Sequence, residues 1–230
     1  MFARPVELEK WVGTLAVLCL AAIALISAPP SFSSASRPVR GITNPVLAME
    51  VVRDVSEVDA VISDSPSPDR EVMRLKQYAD FAFIAFYAAL FVGVAMLLGR
   101  DGSKAIAWSA GIVGVIAAVF DVAENLGILR ILDVNLSHTT PAMIDAIRYP
   151  SLLKWALASV AMGLLSMLLL RRKNTGLRIV GALDLAAALL GLAGTADNVL
   201  LAWSGLPMLG GFLTLAILYF RPFYVYRRRA

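Results

Sequence analysis

The 230-residue chain is 59% hydrophobic and 17% charged, with a mean hydropathy of +0.73, whereas a soluble domain is about 45–50% apolar. Its net charge of +4 comes from short basic clusters at the ends of apolar runs, not from one basic soluble face, which argues against a nucleic-acid binder. A single cysteine, Cys19, excludes an intrachain disulfide; a single histidine, His138, leaves too few ligands for a His/Cys zinc site or a bis-histidine haem, and no cofactor is expected.

The first apolar run, residues 11–28, follows Arg4 and Lys10 and could be a signal peptide. Glu7 and Glu9 dilute the positive region and Pro29-Pro30 follows at once, so a retained helix is expected. Residues 29–75 form the one sizeable polar segment. Within it Thr43-Asn44-Pro45 is a helix start, and Val51, Val55, Val58 and Ile62 are spaced for one helical face. This predicts a short amphipathic helix over 46–62, lying on the membrane surface or on the bundle, and broken at Ser65-Pro-Ser-Pro68.

Further runs at 78–98, 105–129, 152–170, 177–203 and 206–222 approach the roughly 20 apolar residues that cross a bilayer. Pro150 is expected to stop a short helix over 142–149, and Ser204-Gly-Leu-Pro207 to form a tight turn between the last two spans. The expected fold is an all-α, polytopic transmembrane helix bundle of about six spans in one integral membrane domain, residues 1–230, with a short amphipathic outer-side helix. Lys10, Arg100 with Lys104, Arg171 to Lys173 with Arg178, and Arg221 with Arg227 to Arg229 fall on one side of such a bundle. By the positive-inside bias that side is cytoplasmic, with both termini, and the 29–75 segment is extracytoplasmic. Trp11 and the tyrosines from Tyr219 to Tyr226 fit an inner aromatic belt.

The third and fifth runs share a spacing of small and polar residues. Gly111, Gly114, Ala118, Asp121 and Asn125 match Asp184, Ala187, Gly191, Gly194 and Asn198, which suggests a duplicated two-helix hairpin. Close helix packing requires such small residues in any case.

The polar residues inside these runs are the functional candidates, because ionisable groups in a membrane segment are costly. Asp121, Glu124 and Asn125 lie at i, i+3 and i+4 and share a helix face. Helix rise brings Asp80, Glu124, Asn125, Asp197 and Asn198 to about 30 Å from the inner basic clusters. Asp121 and Lys154 sit slightly deeper. These seven residues can form an outer-facing carboxylate and amide pocket that binds or transports a small cation or holds a lipid head group. They can equally form a structural ion-pair network, with Lys154 or Arg130 as the cation. The metal question stays open, and no catalytic set is found. Asp184 is placed near the inner boundary, and Tyr87 with Phe81, Phe83, Phe86 and Phe91 is read as packing.

The run Tyr78-Ala-Asp-Phe-Ala-Phe-Ile-Ala-Phe-Tyr87, with Phe120-Asp-Val-Ala-Glu-Asn125 and Gly41-Ile42 before the outer helix, resembles a group of uncharacterised bacterial inner-membrane proteins. Their D-F-x-F…Y and F-D-x-x-E-N helices correspond to Asp80, Phe81, Phe83, Tyr87, Asp121, Glu124 and Asn125, over roughly residues 40–165. The resemblance implies architecture and a bacterial cytoplasmic-membrane location rather than an activity. Expected partners are membrane lipids, another copy or other membrane subunits, and no nucleic acid; the alternative function is a non-catalytic accessory or assembly subunit of a larger membrane complex.

Overall fold

The computed structural model describes residues 5–34, 37–100 and 102–220. Among them are eight α-helices and one short 3₁₀ turn, Leu136–His138, with no strand. Six helices are long and apolar enough to cross a membrane: α1 (Pro5–Ser27), α4 (Pro68–Leu98), α5 (Lys104–Leu132), α6 (Pro141–Leu169), α7 (Thr175–Gly194) and α8 (Asn198–Phe220). Two short ones, α2 (Pro45–Glu50) and α3 (Val55–Ile62), belong to the polar 29–75 segment. Arg4, Arg221, Tyr224, Tyr226 and Arg227 to Arg229 lie outside the described residues.

The long helices close a ring. Each packs on the next in the order α1, α4, α5, α6, α7, α8, and α8 returns to α1, while α4 also meets α6 across the middle. Small residues make the close approaches. Gly13 of α1 lies against Tyr219 of α8, Gly111 and Gly114 of α5 against Ala95 and Phe91 of α4, and Gly191 of α7 against Ser159 of α6. The small-residue stripes of the third and fifth runs are therefore packing seams. The outward faces carry exposed apolar side chains, as on α5 with Ile112, Val119 and Leu126, which suits a surface wetted by lipid chains.

The inner core lies between the helices, with Val12, Cys19, Leu90, Leu98, Leu165, Leu169 and Leu215. A second core joins this segment to the bundle: Val39, Ile42, Met49, Val58 and Ile62 pack on Met73, Ile128, Ile131, Ile144, Ile147 and Leu201. The 29–75 segment is thus a folded cap on one end of the bundle. Arg70, at the start of α4, fastens it to the α5 terminus by donating to the carbonyls of Ile131 (3.2 Å), Leu132 (3.3 Å) and Val134 (2.7 Å). A guanidinium there also meets the negative end of the α5 dipole. Asp69 binds the other side of the cap, accepting from the Ser33 and Ser34 amides at 2.7 and 3.0 Å.

The helix ends correct the sequence reading in four places. The outer helix over 46–62 is two helices: α2 is capped by Asn44, and α3 begins anew at Asp54, whose side chain accepts from Glu57 N–H at 3.0 Å. The second span starts at Pro68, not at residue 78, because Ser67 caps it with Pro68 in the first turn. Pro150 does not stop a helix; α6 runs through it. The carbonyl that Pro150 leaves unbonded, that of Ala146, faces Gly127 of α5, where an added Cβ would stand 2.9 Å away. The fifth span ends at Gly194, and α8 runs unbroken through Ser204 to Pro207. The reason is Asp197, whose carboxylate accepts from Val199 N–H at 3.0 Å and caps α8, with Gly194 pressed against the backbone of Leu201.

Candidate functional site

α5 sets the site. Its Asp121, Glu124 and Asn125 point inward from two adjacent turns and are 5%, 1% and 1% exposed, an environment that an ionised carboxylate tolerates only with a partner. α6 supplies it. The Lys154 ammonium lies 2.8 Å from Asp121 Oδ1, and 3.0 and 2.9 Å from Glu124 Oε1 and Oε2, the latter off the hydrogen-bonding line.

The cap adds a third carboxylate. Glu50, at the end of α2, reaches Lys154 at 3.1 Å and accepts from Trp155 Nε1 at 2.8 Å. Burial holds its carboxyl above the usual glutamate range, against the pull of Lys154. The Tyr87 hydroxyl of α4 donates to Asp121 Oδ2 at 2.8 Å, and the Asn125 amide donates to Asp80 Oδ2 at 2.7 Å. One ammonium thus sits among three carboxylates, with a fourth, Asp80, beside them and held by an amide rather than a cation. Arg130, the other cation considered, is exposed.

The cluster lines one end of a cavity of about 140 Å³ between α4, α6, α7 and α8. Glu50, Asp80, Asp121, Lys154 and Trp155 line that end. Phe83, Tyr87, Leu90 and Phe91 of α4, Met162 and Leu165 of α6, and Met208, Phe212 and Leu215 of α8 form the walls. Asp184 of α7 also lines the cavity, opposite Gly211. It is the tenth residue of a helix of 20, so it lies at mid-height and not near the inner boundary. α7 starts at Thr175, nine residues before Asp184.

Of the seven candidates, Asp80, Asp121, Glu124, Asn125 and Lys154 come together. Asp197 and Asn198 do not join them: Asp197 is exposed and caps α8, and Asn198 is its first residue. This also separates the two halves of the suggested repeat, because Asn125 lies within α5 while Asn198 opens the helix after α7. Sequence reasoning missed Glu50, which comes from the cap some 100 residues from its partners, and gave Tyr87 only a packing role. Glu50 left one faint sign, an acid closing the apolar stretch Val46-Leu-Ala-Met.

The arrangement holds no site for a metal ion among the described residues. Lys154 already occupies the point on which the three carboxylates converge. Comparison with protein families, characterised proteins and solved structures finds no match to this chain.

Proposed function

We propose that this integral membrane protein binds a small organic ammonium in its central cavity, with the amine held at the acid-lined end beside Asp80. The carrying observation is the position of Asp80. It lines the cavity and accepts one amide hydrogen bond, and no described lysine or arginine pairs with it. The neighbouring three carboxylates and one ammonium leave the end of the cavity rich in negative charge, and a buried excess of that sign draws a cation. The aromatic walls favour an organic cation over a hydrated inorganic one. A cavity near 150 Å³ accommodates a molecule of about benzene's size, which supports a small guest rather than a lipid chain. Lys154 itself serves as the structural counter-ion that lets Asp121 and Glu124 be buried.

The positive-inside bias supports an orientation with the basic turns in the cytoplasm and the cap and acid cluster on the outer side. Together with the resemblance to bacterial inner-membrane proteins, this favours binding or uptake from the outer face.

The test compares n-butylamine, 1-butanol and butyrate by calorimetry on the full chain in nanodiscs. Butylamine is expected to bind and butyrate to be rejected, with Asp80→Asn weakening butylamine at least about tenfold, the equivalent of one ordinary charged hydrogen bond. Equal binding of butanol and butylamine would remove the charge-based reading.

A further inference from the structure

The walls between the two acid-bearing parts of the cavity are carbon and sulfur. Asp80 and its neighbours stand at one end. From there the lining passes Phe83, Tyr87, Ala158 and Met208 to the level of Asp184. The Tyr87 hydroxyl is already donated to Asp121, and no serine or threonine lines the way. These walls offer no chain of side-chain hydroxyls.

Asp184 has no hydrogen-bond or ionic partner among the described residues, yet it occupies the middle turn of a membrane-spanning helix. Such a residue is conspicuous, because a carboxylate at that depth is costly unless something pairs with it. Gly211 of α8 gives it room: an added Cβ there would lie 3.2 Å from Asp184 Oδ1.

The heights can be compared from the inner ends of the helices, which Arg172 ties together by donating to the Leu98 carbonyl at 3.0 Å. At 1.5 Å per residue, Asp80 stands about 27 Å above the end of α4, Lys154 about 22 Å above the end of α6, and Asp184 about 14 Å above the start of α7. Asp80 and Asp184 are therefore about 13 Å apart along the ring axis.

We propose that the cavity takes an elongated guest with an ammonium at each end, a short α,ω-diamine, whose first ammonium is held at Asp80 and whose second is held at Asp184. The proposal rests on the reading above that the acid-lined end binds an amine. Length supports it. An extended four-carbon diamine spans about 6 Å between nitrogens at roughly 1.25 Å per bond. Two charged hydrogen bonds of about 2.8 Å bring the oxygen-to-oxygen span to about 12 Å. The methylenes then lie along the apolar wall, and each ammonium meets a carboxylate that forms no salt bridge among the described residues.

The test titrates n-butylamine, 1,4-diaminobutane and 1,5-diaminopentane into the full chain in nanodiscs and into Asp184→Asn, a near-isosteric change. The expected result is that a diamine binds at least about tenfold tighter than butylamine to the native chain, and that Asp184→Asn erases this advantage. If butylamine binds but neither diamine gains on it, the two-ended reading is overturned while the amine site stands. If the diamine advantage survives in Asp184→Asn, Asp184 is not the second anchor and the proposal also falls. If no amine binds the native chain, both readings fail together.

Discussion

Replacing Lys154 by methionine removes the one cation of the buried cluster while keeping most of the side-chain volume. Lys154 lies within 3.1 Å of three carboxylates and is 7% exposed. At an effective dielectric of about 20, each contact near 3 Å is worth about 5–6 kcal/mol of attraction. That sum is never realised, because the carboxylates repel one another and all four groups lost their hydration on burial. Breaking a buried pair by deleting one partner costs about 3–5 kcal/mol, and we expect Lys154→Met to lose that much in reversible unfolding of the detergent-solubilised protein. The cluster also makes a second claim about sign. Once Lys154 is gone, Glu124 is a liability, so adding Glu124→Gln should return at least about 1 kcal/mol. A Lys154→Met variant within about 1 kcal/mol of the native chain, or a double variant weaker than the single one, would refute the charge reasoning.

Other perturbations probe separate features. The raised Glu50 carboxyl keeps its proton to higher pH in the folded chain than in the unfolded one. Stability is therefore expected to fall as pH rises from the ordinary glutamate range through the raised value, and to level off above it. Glu50→Gln should flatten that descent in a stability–pH profile; an unchanged slope assigns it to other groups. Gly114→Ala would place a Cβ 2.5 Å from Phe91 Cγ, costing about 1–3 kcal/mol by overpacking and pushing a wall residue into the cavity, so thermal stability and butylamine affinity should fall together. Asp197→Ala removes the α8 cap and should cost about 1 kcal/mol with no change in butylamine affinity; a large affinity loss would return Asp197 to the site.

The spans were legible because hydropathy acts locally and in bulk. Their ends were not, because capping side chains decide them: Ser67 starts α4 ten residues before the apolar run, and Asp197 splits what hydropathy presents as one long run. Proline was misleading for a related reason. Inside a ring of helices a neighbouring backbone, here at Gly127, can face the carbonyl that Pro150 leaves free, so the helix need not stop. Two acid–amide pairs looked alike in sequence, Glu124-Asn125 and Asp197-Asn198. One meets Lys154 and Asp80, and the other is helix-cap chemistry. Only their partners distinguish them, and those partners are remote in the chain. Glu50 was hidden for the same reason, since its place beside Lys154 depends on how the cap folds back across the bundle.

The order of residues along the chain gives the buried cluster a consequence for biogenesis. Glu50, Asp80, Asp121 and Glu124 all precede their cation: they are made and threaded toward the bilayer before α6 brings Lys154. Acids in an inserting helix are costly without a partner, so the nascent chain carries unmatched acids until the fourth span arrives. A chain arrested before Pro141 holds unmatched acids in the bilayer and should be cleared by membrane proteases, whereas one that includes Lys154 can neutralise its interior and draw the cap closed through Glu50.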